Sequence, residues 1–239
     1  MILQTHDLWR TFGGVAAVAG VNFNLEEGEL RCLIGANGAG KSTFFKMLTG
    51  QIKPTSGRIT LFGEDATNLP SYAIARKGVG VKTQVPNLFN GLSVRENLFL
   101  AAQRVFDKQA AANAADAMLE TIRMKEQAYT LAGELAHGHR QWVELGMILV
   151  NEPKLVLLDE PAAGMTAGEV ERTIALLNEL RGQRTFIIVE HDMHFIRRIA
   201  EKVTVFHRGR VLVEDTMEAV VRNTEVRDAY LGQHGKEAR

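Results

Sequence analysis

Three short stretches of this chain carry residue types whose spacing can do phosphate chemistry. The first is "GANGAGKS", Gly35 to Ser42, which fits G-x-x-x-x-G-K-[ST]. Glycines in such a run let the backbone turn successive N–H groups inward around phosphate oxygens. The cradle would comprise Gly35, Asn37, Gly38, Ala39, Gly40 and Thr43. Lys41 would reach the β- and γ-phosphates, and the Ser42 hydroxyl would ligate Mg²⁺. A glycine-rich turn can match this spacing by chance. The context argues otherwise, because the apolar "RCLI" precedes it as a strand and "TFFKMLTG" follows as a helix.

The second stretch is "LVLLDE". Four apolar residues bury a strand and Asp159 emerges at its end. Asp159 can hold Mg²⁺ through water, and Glu160 can orient or deprotonate a water facing a γ-phosphate. In isolation the pair would read as a solvated strand end. The third stretch is "LAHGHRQ", residues 135–141, which leads into a helical run "RQWVELGMIL". Two histidines around a glycine also invite a metal reading. Catalytic zinc takes three protein ligands, however, and no cysteine lies nearby. "EHDMH", residues 190–194, has the same look but follows an apolar strand, and His194 reads as solvated or packing on the next helix.

The elements that must position these residues alternate along the chain. "ILQTHDLWRTF", "AVAGVNFNL", "GELRCLIG" and "SGRITLFG" read as strands between glycine turns. "GVGVKTQ" is a strand ending in polar residues. Ser93 to about Tyr129 reads as helical, with Ser93 and Glu96 forming a capping box. "KLVLLDE" and "TFIIVEH" are apolar on both sides, as strands covered by helices should be. "KVTVFHRGRVLVED" is a hairpin turning at Arg208-Gly209, "EVRDAYLG" is a short helix, and "QHGKEAR" is a frayed tail.

The expected fold is α/β: a P-loop NTPase core with a mostly parallel sheet, an N-terminal antiparallel β subdomain and an inserted α-helical subdomain. It reads as a single domain over 1–239, with the core at about 1–92 and 151–232, the helical part at about 93–150 and the tail at 233–239. Hydrophobic residues make up 46% of 239, and the 28 basic and 28 acidic residues cancel. No global charge therefore advertises a nucleic-acid partner. The one cysteine, Cys32, excludes an internal disulfide and reads as a small buried hydrophobe. No apolar run is long enough to span a bilayer, and the N-terminus lacks a signal-peptide pattern. Any membrane role must then come through a partner.

With these stretches in this order, the chain resembles the ATP-binding subunits of ABC transporters over about residues 2–232. The resemblance implies ATP and Mg²⁺ as cofactors. It implies that Gln84 in "VGVKTQ" touches Mg²⁺ and faces the membrane partner, and that His191 in "VEHD" contacts the γ-phosphate. Phe12 in "RTFGG" would stack on adenine, although an aromatic near a strand end can equally be core. Ala136, His137, Gly138 and His139 align with the family's signature segment, which closes over ATP bound by a second subunit. The resemblance thus implies a homodimer or heterodimer of cassettes, integral membrane permease subunits, and a cytoplasmic position on the inner face of the membrane. The apolar Leu88 and Phe89 beside Gln84 mark where a permease helix would dock.

Three departures from the family pattern stand out. Ala136 replaces a serine, removing a hydroxyl donor worth about 1.5–3 kcal/mol toward a charged group. Histidines replace the first signature glycine and the signature glutamine. Thr166, in "PAAGMT" after Glu160, replaces an aspartate of the D-loop. The histidine, the "AGMT", "FGGVAAV" and "YLG" resemble the branched-chain amino acid and urea importers; the lipopolysaccharide-export ATPase is a near alternative. A soluble ABC clamp would bring two cassettes or a long coiled coil, and a small-molecule kinase would bring an acceptor site and an arginine-rich lid.

Overall fold

The computed structural model describes residues 1–83 and 87–234. The chain forms two compact units, Met1–Lys77 with Arg181–Arg239, and Gly78–Leu180. In the first unit, β1 (Leu3–Phe12) and β2 (Val15–Leu25) form an antiparallel hairpin with Phe12 opposite Val15. Gly13 and Gly14 both take positive φ, 51° and 85°, as a two-residue type I′ turn requires. β3 (Leu30–Gly35) is buried up to its terminal glycine and leads through the glycine loop into α1 (Lys41–Leu48). β4 (Ser56–Leu61) and β5 (Glu64–Asp65) complete an antiparallel sheet in the order β2-β1-β4-β5, and α2 (Ser71–Arg76) follows.

The second unit holds β6 (Val79–Lys82), then α3 (Val94–Ala102), α4 (Lys108–Thr121), α5 (His137–Leu149), β7 (Leu155–Asp159) and α6 (Ala167–Leu180). β6 and β7 pair in parallel, Val79 against Leu155 and Lys82 against Leu158. The predicted capping box is present at Ser93 and Glu96. The helix it opens is shorter than expected. α3 stops at Ala102, and α4 restarts where the Asp107 side chain accepts from the Ala110 N–H. Helical periodicity continued across this break, but an N-cap resets the helix whatever the apolar spacing says.

The chain then returns to the first unit as β8 (Thr185–Val189), α7 (Met193–Ile199), β9 (Lys202–His207), β10 (Arg210–Asp215), α8 (Met217–Arg222) and α9 (Thr224–His234). β3 runs parallel to β8 on one side and β9 on the other, and β10 is antiparallel to β9. Arg208 and Gly209 make the predicted turn, with φ of 48° and 79°. Residues 235–239 of the expected tail lie outside the described residues.

Two packings fix β3 and α1. Phe44 of α1 meets Phe23 of β2 edge-on at 5.5 Å and Phe206 of β9 at 5.2 Å. Arg31 of β3 is 1% exposed and bridges Glu29 and Glu214 at 2.6 Å each, with Thr204 Oγ1 accepting at 2.9 Å. Cys32 beside it is fully buried, and that burial pushes its thiol pKa up. It is packing, as expected.

Candidate functional site

The glycine loop is held by backbone touching backbone. Gly40 has φ 106°, and a Cβ there would lie 2.4 Å from the Ala17 carbonyl of β2. Gly209, in the β9–β10 turn, donates its N–H to the Ala39 carbonyl at 2.9 Å, and its own carbonyl accepts from Ala19 N–H at 2.8 Å. Gly35 approaches Phe206 so closely that a Cβ would sit 2.5 Å from its carbonyl oxygen. Two strands, β2 and β9, and the β9–β10 turn therefore pin the loop from outside. Asn37 and Gly38 remain at its exposed tip, while Ala39 is buried beneath.

Gly40 is the N-cap of α1 and contributes no side-chain acceptor. An anion at that end would meet first-turn N–H groups and the positive end of the helix dipole. Ser42 is exposed in that first turn, and Thr43 stands half-buried next to it. The Lys41 ammonium donates to the Gly35 and Ala36 carbonyls, which curls its chain back over the loop. Its charge is thus already held at the cradle. Replacing Gly40 with Ala combines a left-handed φ with a backbone clash, and should cost about 2–4 kcal/mol of stability. Thermal unfolding with and without ATP tests this. A variant as stable as the parent would mean the loop is not clamped by Ala17.

Phe12 ends β1 and is 43% exposed, so it is not core. The Arg10 guanidinium lies 4.4 Å from its ring centroid, and donates to the Lys53 carbonyl at 2.8 Å. His191 follows β8 with its side chain 71% exposed. Glu190 beneath it is buried and accepts from the His191 and Asp192 N–H groups at 2.8 and 3.3 Å. Asp192 caps α7 by accepting from His194 and Phe195 N–H. His194 itself is exposed, which leaves the solvated reading and removes the packing one.

In the second unit, Asp159 ends β7 and is buried, and Glu160 follows it with φ 49°. A left-handed glutamate is strained by about 1–3 kcal/mol, and such strain clusters where geometry must be enforced. The Glu160 carbonyl accepts from Ala163 N–H at 3.2 Å and closes a turn. Gln84 lies outside the described residues. The flanks of its segment are tied to α5. The buried Glu144 carboxylate accepts from Asn87 N–H at 3.2 Å and faces the Lys82 ammonium at 3.5 Å. Burial pushes the Glu144 pKa up, against the opposing pull of Lys82.

α5 begins at His137, three residues earlier than "RQWVELGMIL" implied, so His137, Gly138 and His139 form its first turn. Ala136 is the N-cap and gives that turn no side-chain acceptor. His137 Nε2 lies 3.2 Å from the Ala163 carbonyl. His139 stacks on Trp142 at 5.3 Å, and Trp142 Nε1 donates to Thr173 Oγ1 at 2.9 Å. Gly138 meets the Glu169 carboxylate, which would sit 2.2 Å from a Cβ at that position. Glu169 in turn accepts from the Thr166 N–H and hydroxyl, each at 2.8 Å, and these bonds hold its pKa below the usual range. Thr166 is therefore the N-cap of α6 in a T-x-x-E capping box. Gly168 is helical, whereas Gly164, with φ 72°, lies in the turn before α6.

Replacing Ala136 with Ser should supply the missing cap and stabilise the protein by about 1 kcal/mol. That is about 2–4 °C in Tm for a chain of this size. An unchanged Tm would show that the first turn of α5 already has its acceptors.

The ABC transporter family matches residues 18–163. The chain belongs to that family. BraF of Pseudomonas aeruginosa, a high-affinity branched-chain amino acid transport ATP-binding protein, is 36% identical over 97% of this chain and 98% of its own. LivG of Escherichia coli, which carries the same description, is 36% identical with the same coverage. The crystal structure of MJ1267, an ATP-binding cassette of an ABC transporter in its ADP conformation, superposes with a TM-score of 0.87. It is 27% identical, with 97% of this chain and 98% of that one covered. This cassette is accordingly an α/β P-loop ATPase that binds ATP.

Several residues that shape the cassette escaped the sequence reading. Thr166-x-x-Glu169 carried a visible capping-box signal beside the stretch being read for the D-loop. Glu190 carried none beyond its place before His191. Lys82 and Glu144 are 62 positions apart, and nothing local pairs them. Arg10 over Phe12 is an i, i+2 pair on one face of a strand, which period-2 alternation does foretell.

Proposed function

We propose that this cassette hydrolyses ATP to drive uptake of branched-chain amino acids through separate permease subunits. The observation that carries the reading is the clamped glycine loop with Lys41 held over it, in a chain so similar along its whole length to BraF and LivG. The cassette pairs with a second one, a copy or a related chain, and sits on the inner face of the cell membrane through the permease. Leu88 and the 57%-exposed Phe89 are the contact offered to that partner.

In this reading the loop N–H groups from Gly38 to Thr43 and the Lys41 ammonium bind the β- and γ-phosphates. Phe12 stacks on adenine. Ser42 and Asp159 supply hydroxyl and carboxylate oxygens, the hard donors that Mg²⁺ takes alongside water and phosphate, and Gln84 adds an amide oxygen. Bound there, Mg²⁺ would neutralise charge on the β- and γ-oxygens. Glu160 holds the attacking water and takes its proton. His191, raised on the loop that Glu190 fixes, contacts the γ-phosphate. The backbone of residues 136–139 in the second cassette faces the same phosphate from across the dimer.

Two readouts test this. Purified cassette should release free phosphate from ATP without a phosphorylated acceptor, whereas a kinase would label an acceptor. Cells whose own copy carries Lys41→Ala should lose accumulation of labelled leucine, isoleucine and valine. Unchanged uptake would assign the cassette another cargo.

A further inference from the structure

His137 stands where the family pattern leads one to expect a glycine, and its Nε2 lies within hydrogen-bond distance of two groups, the Ala163 carbonyl and the Gln141 amide. Nε2 is 3.2 Å from the Ala163 carbonyl oxygen. The Gln141 side-chain amide lies at the same 3.2 Å from Nε2. A carbonyl only accepts, so the tautomer with the hydrogen on Nε2 donates to Ala163, and it suits Gln141 when that amide turns its buried, otherwise unpartnered oxygen to the ring. The ring packs on Gly164, where a Cβ would lie 3.0 Å from Nε2 and Cδ2. Ala163 closes the turn on the Glu160 carbonyl, and Glu160 is the residue in left-handed conformation. A second attachment lies just beyond it, where the Glu169 carboxylate that caps Thr166 rests against Gly138. The segment after Glu160 is therefore fastened to the first turn of α5 at two points, by a hydrogen bond and by a close carboxylate–backbone contact.

We propose that His137 is a positioning residue that couples the two nucleotide sites of a cassette pair. Its imidazole holds the Glu160 turn of its own chain, while its backbone faces the nucleotide bound by the other chain. This rests on the paired-cassette reading above. Motion of the first turn of α5 as it meets a phosphate is then passed through the Ala163 carbonyl to the Glu160 of the opposite site. A glycine at position 137 could not make that link, so the departure at His137 replaces one form of communication with another. The departure at Thr166 belongs to the same arrangement, because the Thr166–Glu169 box sets the carboxylate against Gly138.

The test is to purify mixed dimers from two differently tagged full-length chains, one of which carries Glu160→Gln to silence its site. His137→Ala is placed either in the chain with the live Glu160 or in the silenced chain. In the live chain it should lower ATP turnover about fivefold with KM for ATP unchanged, the equivalent of one hydrogen bond lost in the transition state. In the silenced chain, whose α5 faces the live nucleotide, the loss should be about twofold or less. His137→Gln, which keeps an N–H donor, should recover part of the turnover and controls for misfolding. Equal losses in both placements, a loss confined to the silenced chain, or no loss at all would overturn the coupling. Failure of the underlying reading shows itself earlier, as wild-type chains that neither hydrolyse ATP nor pair.

Discussion

Replacing Glu160 with Gln should cut ATP turnover by about 10²–10⁴-fold, the usual contribution of a positioned proton acceptor. Affinity for ATP should stay within a few-fold of the parent. Glu160 follows a buried strand whose last residue, Asp159, is itself buried, and its backbone is held in a left-handed turn closed by Ala163. A glutamine is isosteric and can keep that turn, but it cannot take a proton from water. The nucleotide contacts assigned to the loop around Lys41 lie on other elements and should persist. Phosphate release and equilibrium ATP binding, measured on the same preparation, separate the two effects. A variant that loses binding along with turnover would show that Glu160 shapes the nucleotide pocket instead of activating water.

Arg31→Ala should be the most destabilising change outside the site. Arg31 is almost fully buried on β3, the strand that feeds the glycine loop, between Glu29 and Glu214. It also lies 5.1 Å over the Phe23 ring that packs on Phe44 of α1. Truncating it leaves the buried Glu29 without its cation, which costs about 3–5 kcal/mol. For a chain of this size, the fall in Tm should be about 10 °C. The double variant Arg31→Met, Glu29→Leu should recover much of that loss, because an apolar pair of similar volume carries no uncompensated charge. Urea unfolding of the single and double variants tests the pair together. A single variant within about 1 kcal/mol of the parent would mean that water reaches Glu29.

The strands and the phosphate cradle were legible because their signals are local. Gly35 to Ser42 needs only a strand before it and a helix after it. The Arg208-Gly209 turn follows from the positive φ its geometry demands. The Ser93–Glu96 capping box is visible in the sequence, and so are the Asp107 N-cap that divides the following helix and the Thr166-Glu169 box, although the apolar periodicity around them hides both. The start of α5 carries no sequence mark, because Ala136 is a poor N-cap. What could not be read was long-range. His137 to Ala163, Glu144 to Lys82 and Gly40 to Ala17 are contacts set by packing between distant segments. His137 shows the consequence most clearly. As a sequence it reads as a weakened signature, and in the fold its Nε2 lies 3.2 Å from both the Ala163 carbonyl and the Gln141 amide.

In the proposed function two such cassettes close on ATP, and residues 136–139 of each chain complete the other's site. Size exclusion of the Glu160→Gln protein with and without ATP and Mg²⁺ tests this pairing. The expected result is a monomer that becomes a dimer only when ATP is present, and no shift when Lys41→Ala is added. A Glu160→Gln protein that binds ATP and remains monomeric would contradict it, since Ala136, His137 and His139 would then not close a site between two copies of this chain.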